Sequence, residues 1–413
     1  MTNDAPDSAK AIRTSRSRLL SYENGLVLVL GLAFGLINFD GRAVSVLMPL
    51  IVADLRLDNT HVGLLTAAAS LTAAPANLLA GRLSDLLGVR KWPLVAAVAT
   101  FSLCTVSSGF ATTFVVLFAA RLLTGVAQGP TPPLLFIIMA EGSAPQRRGL
   151  NAGLVGTFGA LLGTAAPVVF AALGATYGWR SAFYLTVVPG VIVAALIAAV
   201  VREMGAPATQ GREPDSTVSI VRTRNVWLSA LCACLLAGYT ATLLGFAPLY
   251  LVQAKQMPSD DMGALLSAAG ATGLLVGGAL LALSDRVGHK TIASIATLVG
   301  AAAPLALLLG QASIAGLLIP MVLGASAATT IPLFIMTIPS GSVPGRSYGT
   351  ALGFVGATVT IAGGVIVPSV AGWIADRATL AAPLAISLAC VVACSACTLL
   401  LTETAPRKLA IVG

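Results

Sequence analysis

Polar positions break this chain at regular intervals into apolar runs of about twenty residues, the length a helix needs to cross ~30 Å of hydrocarbon. Twelve runs can be drawn, near residues 24–53, 61–80, 92–111, 113–140, 148–176, 181–201, 226–252, 261–283, 291–310, 312–338, 347–374 and 380–401, numbered here as spans 1 to 12. Within each, the apolar residues are continuous rather than alternating, which excludes a membrane β-barrel. The pattern predicts an all-α integral membrane protein with twelve transmembrane helices. Residues 1–20, MTNDAPDSAKAIRTSRSRLL, are polar and lack the apolar core of a cleaved signal peptide, so they read as a cytosolic tail.

The pattern also repeats. Asp85, Gly88, Gly153, Gly156 and Gly163 recur 200 residues later as Asp285, Gly288, Gly353, Gly356 and Gly363. At an offset of 199, Gly125, Pro133, Pro145 and Arg147 match Gly324, Pro332, Pro344 and Arg346. A near-constant offset through helix-breaking residues predicts two pseudo-symmetric six-helix halves, 21–201 and 226–402, joined by a polar linker loop at 202–225 and ending in a cytosolic tail at 403–413. Two parallel halves rocking about a midplane site form a machine for alternating access.

Composition agrees with the pattern. Only 10% of the 413 residues are charged, with a mean hydropathy of +0.91, where soluble domains carry about 25% charged residues. Charge then orients the chain. With the N-terminus inside, eighteen lysines and arginines fall in internal tails and loops, and only Arg56, Arg180, Lys255 and Arg377 fall outside. That bias predicts a multi-pass protein of the inner (plasma) membrane with both termini cytoplasmic. The net charge of +8 is an orientation signal and implies no nucleic-acid partner. Trp92, Trp179, Trp227 and Trp373 fall at span ends, as an aromatic belt would place them.

Several stretches resemble a known family. GRLSDLLGVRK (81–91), between spans 2 and 3, resembles the G-x-L-x-D-x-x-G-x-R-K loop of the major facilitator superfamily, and LALSDRVGHK (281–290) its weaker second copy. The resemblance implies the major facilitator fold, with Gly81, Arg82, Asp85, Gly88, Arg90, Lys91, Asp285 and Gly288 forming the gating motif on the cytosolic side. RLLTGVAQGPTPP (121–133) and YGWRSAFYLTVVPG (177–190) fit the same superfamily. Its drug exporters usually carry G-P-x-x-G-G in span 5; here GTFGALLGTAAPVVFAAL keeps the glycines and Pro167 but has no following glycine pair. Span 1, INFDGRAVSVL, is similar to the N-x-x-D-R…S-V-x-x-P signature of anion:cation symporters and spinster-like relatives. Those families show R-x-x-x-G-x-x-E-G-P-T-x-P in span 4, where this chain has Gln128 in place of the acid, and Gly41 separates Asp40 from Arg42.

In that fold spans 1, 4, 7 and 10 line the cavity. Asn38, Arg42 and Ser45 share one face of span 1 at i, i+4, i+7, with Asp40 turned about 160° from Arg42. Arg121 is expected ~7 Å outward of the centre of span 4, and Gln128 close to the midplane. Both arginines are therefore expected to look into the cavity, where a guanidinium fork matches a carboxylate; Asp40 faces neighbouring helices or pairs with Arg121. Bracing without substrate contact is the competing reading for Arg42, Arg121 and Gln128. In the second half, Tyr239, Thr240, Thr242, Thr329 and Thr330 are the polar candidates, and helix–helix contact is the competing reading for each.

Cys104, Cys232, Cys234, Cys390, Cys394 and Cys397 all lie in spans and read as packing residues; His61 and His289 sit at membrane edges and read as solvated. No metal, nucleophile or phosphate-binding motif is present, so an enzyme, a cofactor and ATP hydrolysis are not expected. The reading is a monomeric secondary transporter that takes up a small organic anion, a carboxylate, with protons; if a side chain carries the proton, Asp40 is the proton-coupling acid by elimination, and otherwise the substrate carries it or the protein is a uniporter. A proton-driven drug or metabolite exporter is the first alternative, and a sensor or lipid-handling protein on the same scaffold the second.

Overall fold

The computed structural model describes residues 5–87, 89–203, 223–311, 313–343 and 348–404; the side chains of 5–21, 78, 80–87, 285 and 348–350 fall outside that description. The described residues contain no strand, and nine helical stretches among them are long and apolar enough to cross a membrane, with Ala382–Thr398 a shorter apolar helix. Span 1 is the helix Ala5–Leu55, span 2 Asn59–Leu87 and span 3 Lys91–Gly109. Spans 5 and 6 form one stretch, Arg148–Val200, that reverses at Gly178. There φ is 78°, a left-handed value that glycine reaches without a Cβ clash. Spans 7 and 8 are Arg224–Gln253 and Ser259–Val287; span 9 is His289–Gly300 and Ala302–Leu309.

Spans 4 and 10 are both broken. Span 4 is Phe114–Gln128 followed by Thr131–Glu141, split at Gly129 and Pro130. Span 10 is Ile314–Ala328, split at Thr329 and Thr330 and continued by a π-helical turn, Leu333–Thr337. The helices open on matched caps: Thr113 Oγ1 accepts the Val116 N–H at 3.4 Å, and Ser313 Oγ accepts the Gly316 N–H at 3.1 Å. Glu203 and Glu403 match in the same way. Glu203 Oε1 accepts the Arg90 N–H at 2.7 Å, and Glu403 Oε1 the His289 N–H at 2.9 Å. His289 is buried there, its Nδ1 3.2 Å from Thr404 Oγ1, because it starts a helix whose first amides need that cap; the expectation of a solvated ring is corrected. Span 11 runs Tyr348–Thr358, then π-helical Val359–Ile366, then Val367–Arg377.

The seam between spans 1–6 and spans 7–12 is unlike at its two ends. At the predicted outer end it is closed by small residues and one carboxylate. Asp376, at the end of span 11, accepts the Asn59 and Thr60 N–H groups at 2.7 Å each and the Thr60 hydroxyl, capping span 2. One turn on, a Cβ at Gly372 would lie 3.0 Å from Gly63 Cα, so only glycine admits this approach. Ser267 Oγ of span 8 accepts the Val168 N–H of span 5 at 2.9 Å, and Gly263 sits against Pro167 and Ala171. At the predicted inner end, Gly149, Gly153 and Gly156 of span 5, Gly278 of span 8 and Gly353 and Gly356 of span 11 face open space, with nothing within 4 Å of an added Cβ.

Trp92, Trp227 and Trp373 are exposed, as an aromatic belt requires, but Trp179 is only 4% exposed. Its indole Nε1 donates to Asp54 Oδ2 at 3.3 Å beside the Arg180–Asp54 ion pair, so it braces spans 1 and 6 instead of meeting lipid.

Candidate functional site

A cavity of about 330 Å³ lies between the two parts of the chain, within the range of small-molecule sites. Its near wall comes from spans 1 and 5: Asn38, Arg42 and Ser45 on one, Gly159, Gly163 and Thr164 on the other. Span 5 takes the place expected for span 4 because its glycines let it close on span 1. A Cβ at Gly163 would lie 3.2 Å from Asn38 Cβ. The far wall is largely apolar, with Leu243, Leu266, Leu274 and Met321 prominent and hydroxyls from Tyr239, Thr240 and Thr329.

Most of these polar groups are already engaged. Asn38 Nδ2 donates to Phe34 O at 2.8 Å, which leaves its amide oxygen as an acceptor. The Thr240 and Thr329 hydroxyls donate to Leu236 O at 2.8 Å and Ser326 O at 2.6 Å, each within its own span. Tyr239 is fully buried, and its hydroxyl donates to Gly300 O at 3.2 Å, tying span 7 to span 9. Arg42 differs. It is half-buried in the cavity wall, and among the described residues its guanidinium makes no hydrogen bond or ion pair. At neighbouring Gly41 an added Cβ would have nothing within 4 Å.

Arg121 occupies a different environment from the one its sequence position implied. It is 3% exposed and does not line the cavity. Its Nε and Nη2 donate to Ser108 Oγ at 3.1 and 2.9 Å, and Nη2 also to Thr124 Oγ1 at 3.1 Å. Its guanidinium carbon lies 5.4 Å from the centre of the Phe183 ring. Asp40 is its ion partner, Nη1 to Oδ2, at 3.7 Å, too long for a hydrogen bond. The geometry is a strut joining spans 1, 3, 4 and 6. Both Asp40 oxygens are buried without a hydrogen-bond donor among the described residues. Gln128 Nε2 donates to Ile37 O at 3.2 Å and Thr330 Oγ1 to Ala327 O at 2.7 Å; both lie outside the cavity wall. Thr242 is fully buried and also absent from that wall.

Of the gating motif, the side chains of Gly81, Arg82, Asp85 and Asp285, and Gly88 altogether, lie outside the described residues. Arg90 is buried and pairs with Glu141 at the end of span 4. Lys91 lies 5.2 Å from the Trp92 ring. Gly288 carries φ 118° where span 8 turns into span 9, a value only glycine holds without strain.

Three features escaped the sequence reading. Thr164 joins the cavity wall, and its signal was the glycine spacing of span 5, visible only once that span is known to face inward. The Asp376 clasp joins positions 317 residues apart, with no periodic pattern to announce it. The Glu203/Glu403 pair could have been found, because it obeys the 200-residue offset.

The chain is 29% identical to a 3-(3-hydroxy-phenyl)propionate transporter of Escherichia coli over 63% of its length and 66% of that protein's. It is 32% identical to a probable 4-methylmuconolactone transporter of Cupriavidus pinatubonensis over 61% of each chain. These alignments span just under two thirds of the relatives' own length. Among solved structures, a bacterial homologue of the human lysosomal transporter Spinster, in an inward-facing and occupied conformation, superposes with a TM-score of 0.76 at 18% identity, covering 92% of this chain and 96% of that one. A nucleoside transporter superposes with a TM-score of 0.74 at 14% identity, covering 92% and 98%. The family model described as Major Facilitator Superfamily matches residues 30–368, which is most of the chain, and with the fold and the central cavity this makes the protein a member of the major facilitator superfamily.

Proposed function

We propose that this transporter takes up a small organic monocarboxylate with an apolar body by alternating access, accompanied by protons. The observation that carries the reading is Arg42: a guanidinium with no partner among the described residues, in a cavity whose opposite wall is largely apolar. A buried arginine without a partner is costly, and a carboxylate satisfies it through two parallel hydrogen bonds. Asn38 Oδ1 and the threonine hydroxyls are positioned as acceptors for a hydroxyl on the substrate body. The compounds named for two relatives, a 3-(3-hydroxy-phenyl)propionate transporter and a probable 4-methylmuconolactone transporter, lie in this chemical class. Asp40 is the acid for the proton, being the only carboxylate near the middle of a span. In this reading the twelve spans form two six-helix halves, 21–201 and 226–402, linked by 202–225. Both termini are cytoplasmic, the protein is a monomer in the inner membrane, and the open glycine faces belong to an inward-open state.

The test is uptake of 3-(3-hydroxyphenyl)propionate into proteoliposomes under an imposed inward proton gradient, with equilibrium binding to the purified protein alongside. Saturable binding and gradient-driven accumulation are expected. No binding by any member of a panel of aryl and alicyclic carboxylates would overturn the reading.

A further inference from the structure

The polar groups of the cavity wall are not interchangeable, because most have already spent their hydrogens. The Thr164 hydroxyl donates to Leu161 O at 2.8 Å, Thr240 to Leu236 O at 2.8 Å and Thr329 to Ser326 O at 2.6 Å, each inside its own span. Tyr239 donates across to Gly300 O at 3.2 Å. Each of these hydroxyls keeps an oxygen able to accept, and none has a hydrogen left to give.

Asn38 is fixed one way round. Its Nδ2 donates to Phe34 O at 2.8 Å, and a flipped amide would set two oxygens against each other. Span 5 closes on the same end: a Cβ at Gly159 would lie 3.1 Å from Asn38 Nδ2. The nitrogen end of the amide is thus taken up by Phe34 and Gly159, and Oδ1 is the free end. Uncommitted hydrogens gather in one place. Arg42 and Ser45, three residues apart on span 1, make no hydrogen bond among the described residues. A carboxylate there meets the guanidinium fork and the Ser45 hydroxyl together.

The wall therefore has a donor pole at Arg42 and Ser45 and acceptors elsewhere. A hydroxyl or amino group on the substrate body meets those acceptors without breaking any bond. A keto, formyl or second carboxyl group finds no free donor. Supplying one means undoing a bond the wall already makes, so nothing is gained for the hydration the group gives up.

From this count of hydrogens we propose that the cavity sorts acids by hydrogen-bond polarity: it selects monocarboxylates whose apolar body carries a donor, a hydroxyl or an uncharged amine, and refuses those whose body carries only acceptors, with Asn38 Oδ1 as the selecting group. The proposal rests on Arg42 as the anion receptor and narrows the uptake reading to one class among the carboxylates.

The test uses four 3-phenylpropionates that differ only at the meta position of the ring, titrated calorimetrically into the purified full chain at neutral pH, where an arylamine is uncharged. Amino is set against methyl, and formyl against vinyl, each pair being matched in bulk. The amino compound should bind about tenfold or more tighter than the methyl one, and the formyl compound severalfold more weakly than the vinyl one. In Asn38→Leu, which keeps the volume and removes the acceptor, the amino preference should fall to near parity. Equal affinities within both pairs, or tighter binding of formyl than of vinyl, would overturn the proposal and leave the uptake reading standing. An undiminished amino preference in Asn38→Leu would overturn the part given to Asn38. Binding by none of the four would overturn the uptake reading and this proposal with it.

Discussion

Arg42 and Arg121 lie in spans of the same half of the chain, each turned inward from lipid, yet they live in opposite worlds. Arg121 is enclosed by Ser108, Thr124, the Phe183 ring and the Asp40 carboxylate, and its donors are largely used. Arg42 lies in the cavity wall and has no partner among the described residues. On the proposed reading the same side chain is a brace in one place and a receptor in the other. What separates them is whether the neighbouring spans supply acceptors, which in turn depends on which face of each helix is turned to its neighbours.

That contrast can be broken most forcefully at the strut. Arg121→Ala leaves Asp40 as a buried, uncompensated charge, and removing one partner of such a pair costs about 3–5 kcal/mol. A large drop in Tm or failure to accumulate in the membrane is expected, and it should be relieved in part by Asp40→Asn in the same chain. A variant as stable as wild type would mean that the strut is not structural.

Arg42→Ala should do the reverse. Anion affinity falls by about 2–5 kcal/mol, as for loss of a buried charge-assisted pair, while Tm is unchanged or rises. Arg42→Lys should restore only part of the affinity, since an ammonium cannot make the two parallel bonds of the fork. Isothermal titration with 3-(3-hydroxyphenyl)propionate and a melting curve on the same sample check both halves of the statement. Near-normal binding in Arg42→Ala would erase the distinction between the two arginines.

Asp40→Asn lies between these two. Arg121 keeps its bonds to Ser108 and Thr124, so the stability loss should be about 1–3 kcal/mol, the size of one unsatisfied buried polar contact. Counterflow exchange should survive, while accumulation driven by a pH gradient alone should disappear. Persisting accumulation would make Asp40 part of the brace only. The smallest effect belongs to Thr124→Val, which removes one neutral acceptor from Arg121. About 1 kcal/mol of stability and no change in anion affinity are expected, read by the same pair of assays.

Much of this architecture is visible in the sequence, for a physical reason. Apolar length and charge asymmetry are properties of single segments, so the all-helical character can be read, and an orientation predicted, without knowing any neighbour. The 200-residue offset likewise survives because the residues that break or cap helices, Thr113 and Ser313 or Gly288 at its turn, are local needs of the backbone. Depth along a span is an expectation of the same kind, since it follows from 1.5 Å per residue. Rotation is not. Whether Arg121 looks into the cavity or into the bundle depends on how span 4 sits against spans 1, 3 and 6. Nothing within span 4 specifies that. Asp376 was out of reach for a related reason: two of its partners are backbone amides at the start of span 2, and any residue but proline at positions 59 and 60 supplies those.

The bare glycines at the predicted inner end of the seam have a practical consequence. A Cβ added at Gly156 or Gly356 meets nothing within 4 Å in the present arrangement, and a helix gains rather than loses stability when glycine gives way to a larger residue, by up to about 1 kcal/mol. Phenylalanine at either position should therefore fold normally and act as a doorstop, letting the outer clasp stay shut while barring the inner faces from meeting. Such a variant would hold one half of a moving cycle still, and so offers a homogeneous sample on which the anion at Arg42 can be caught and seen.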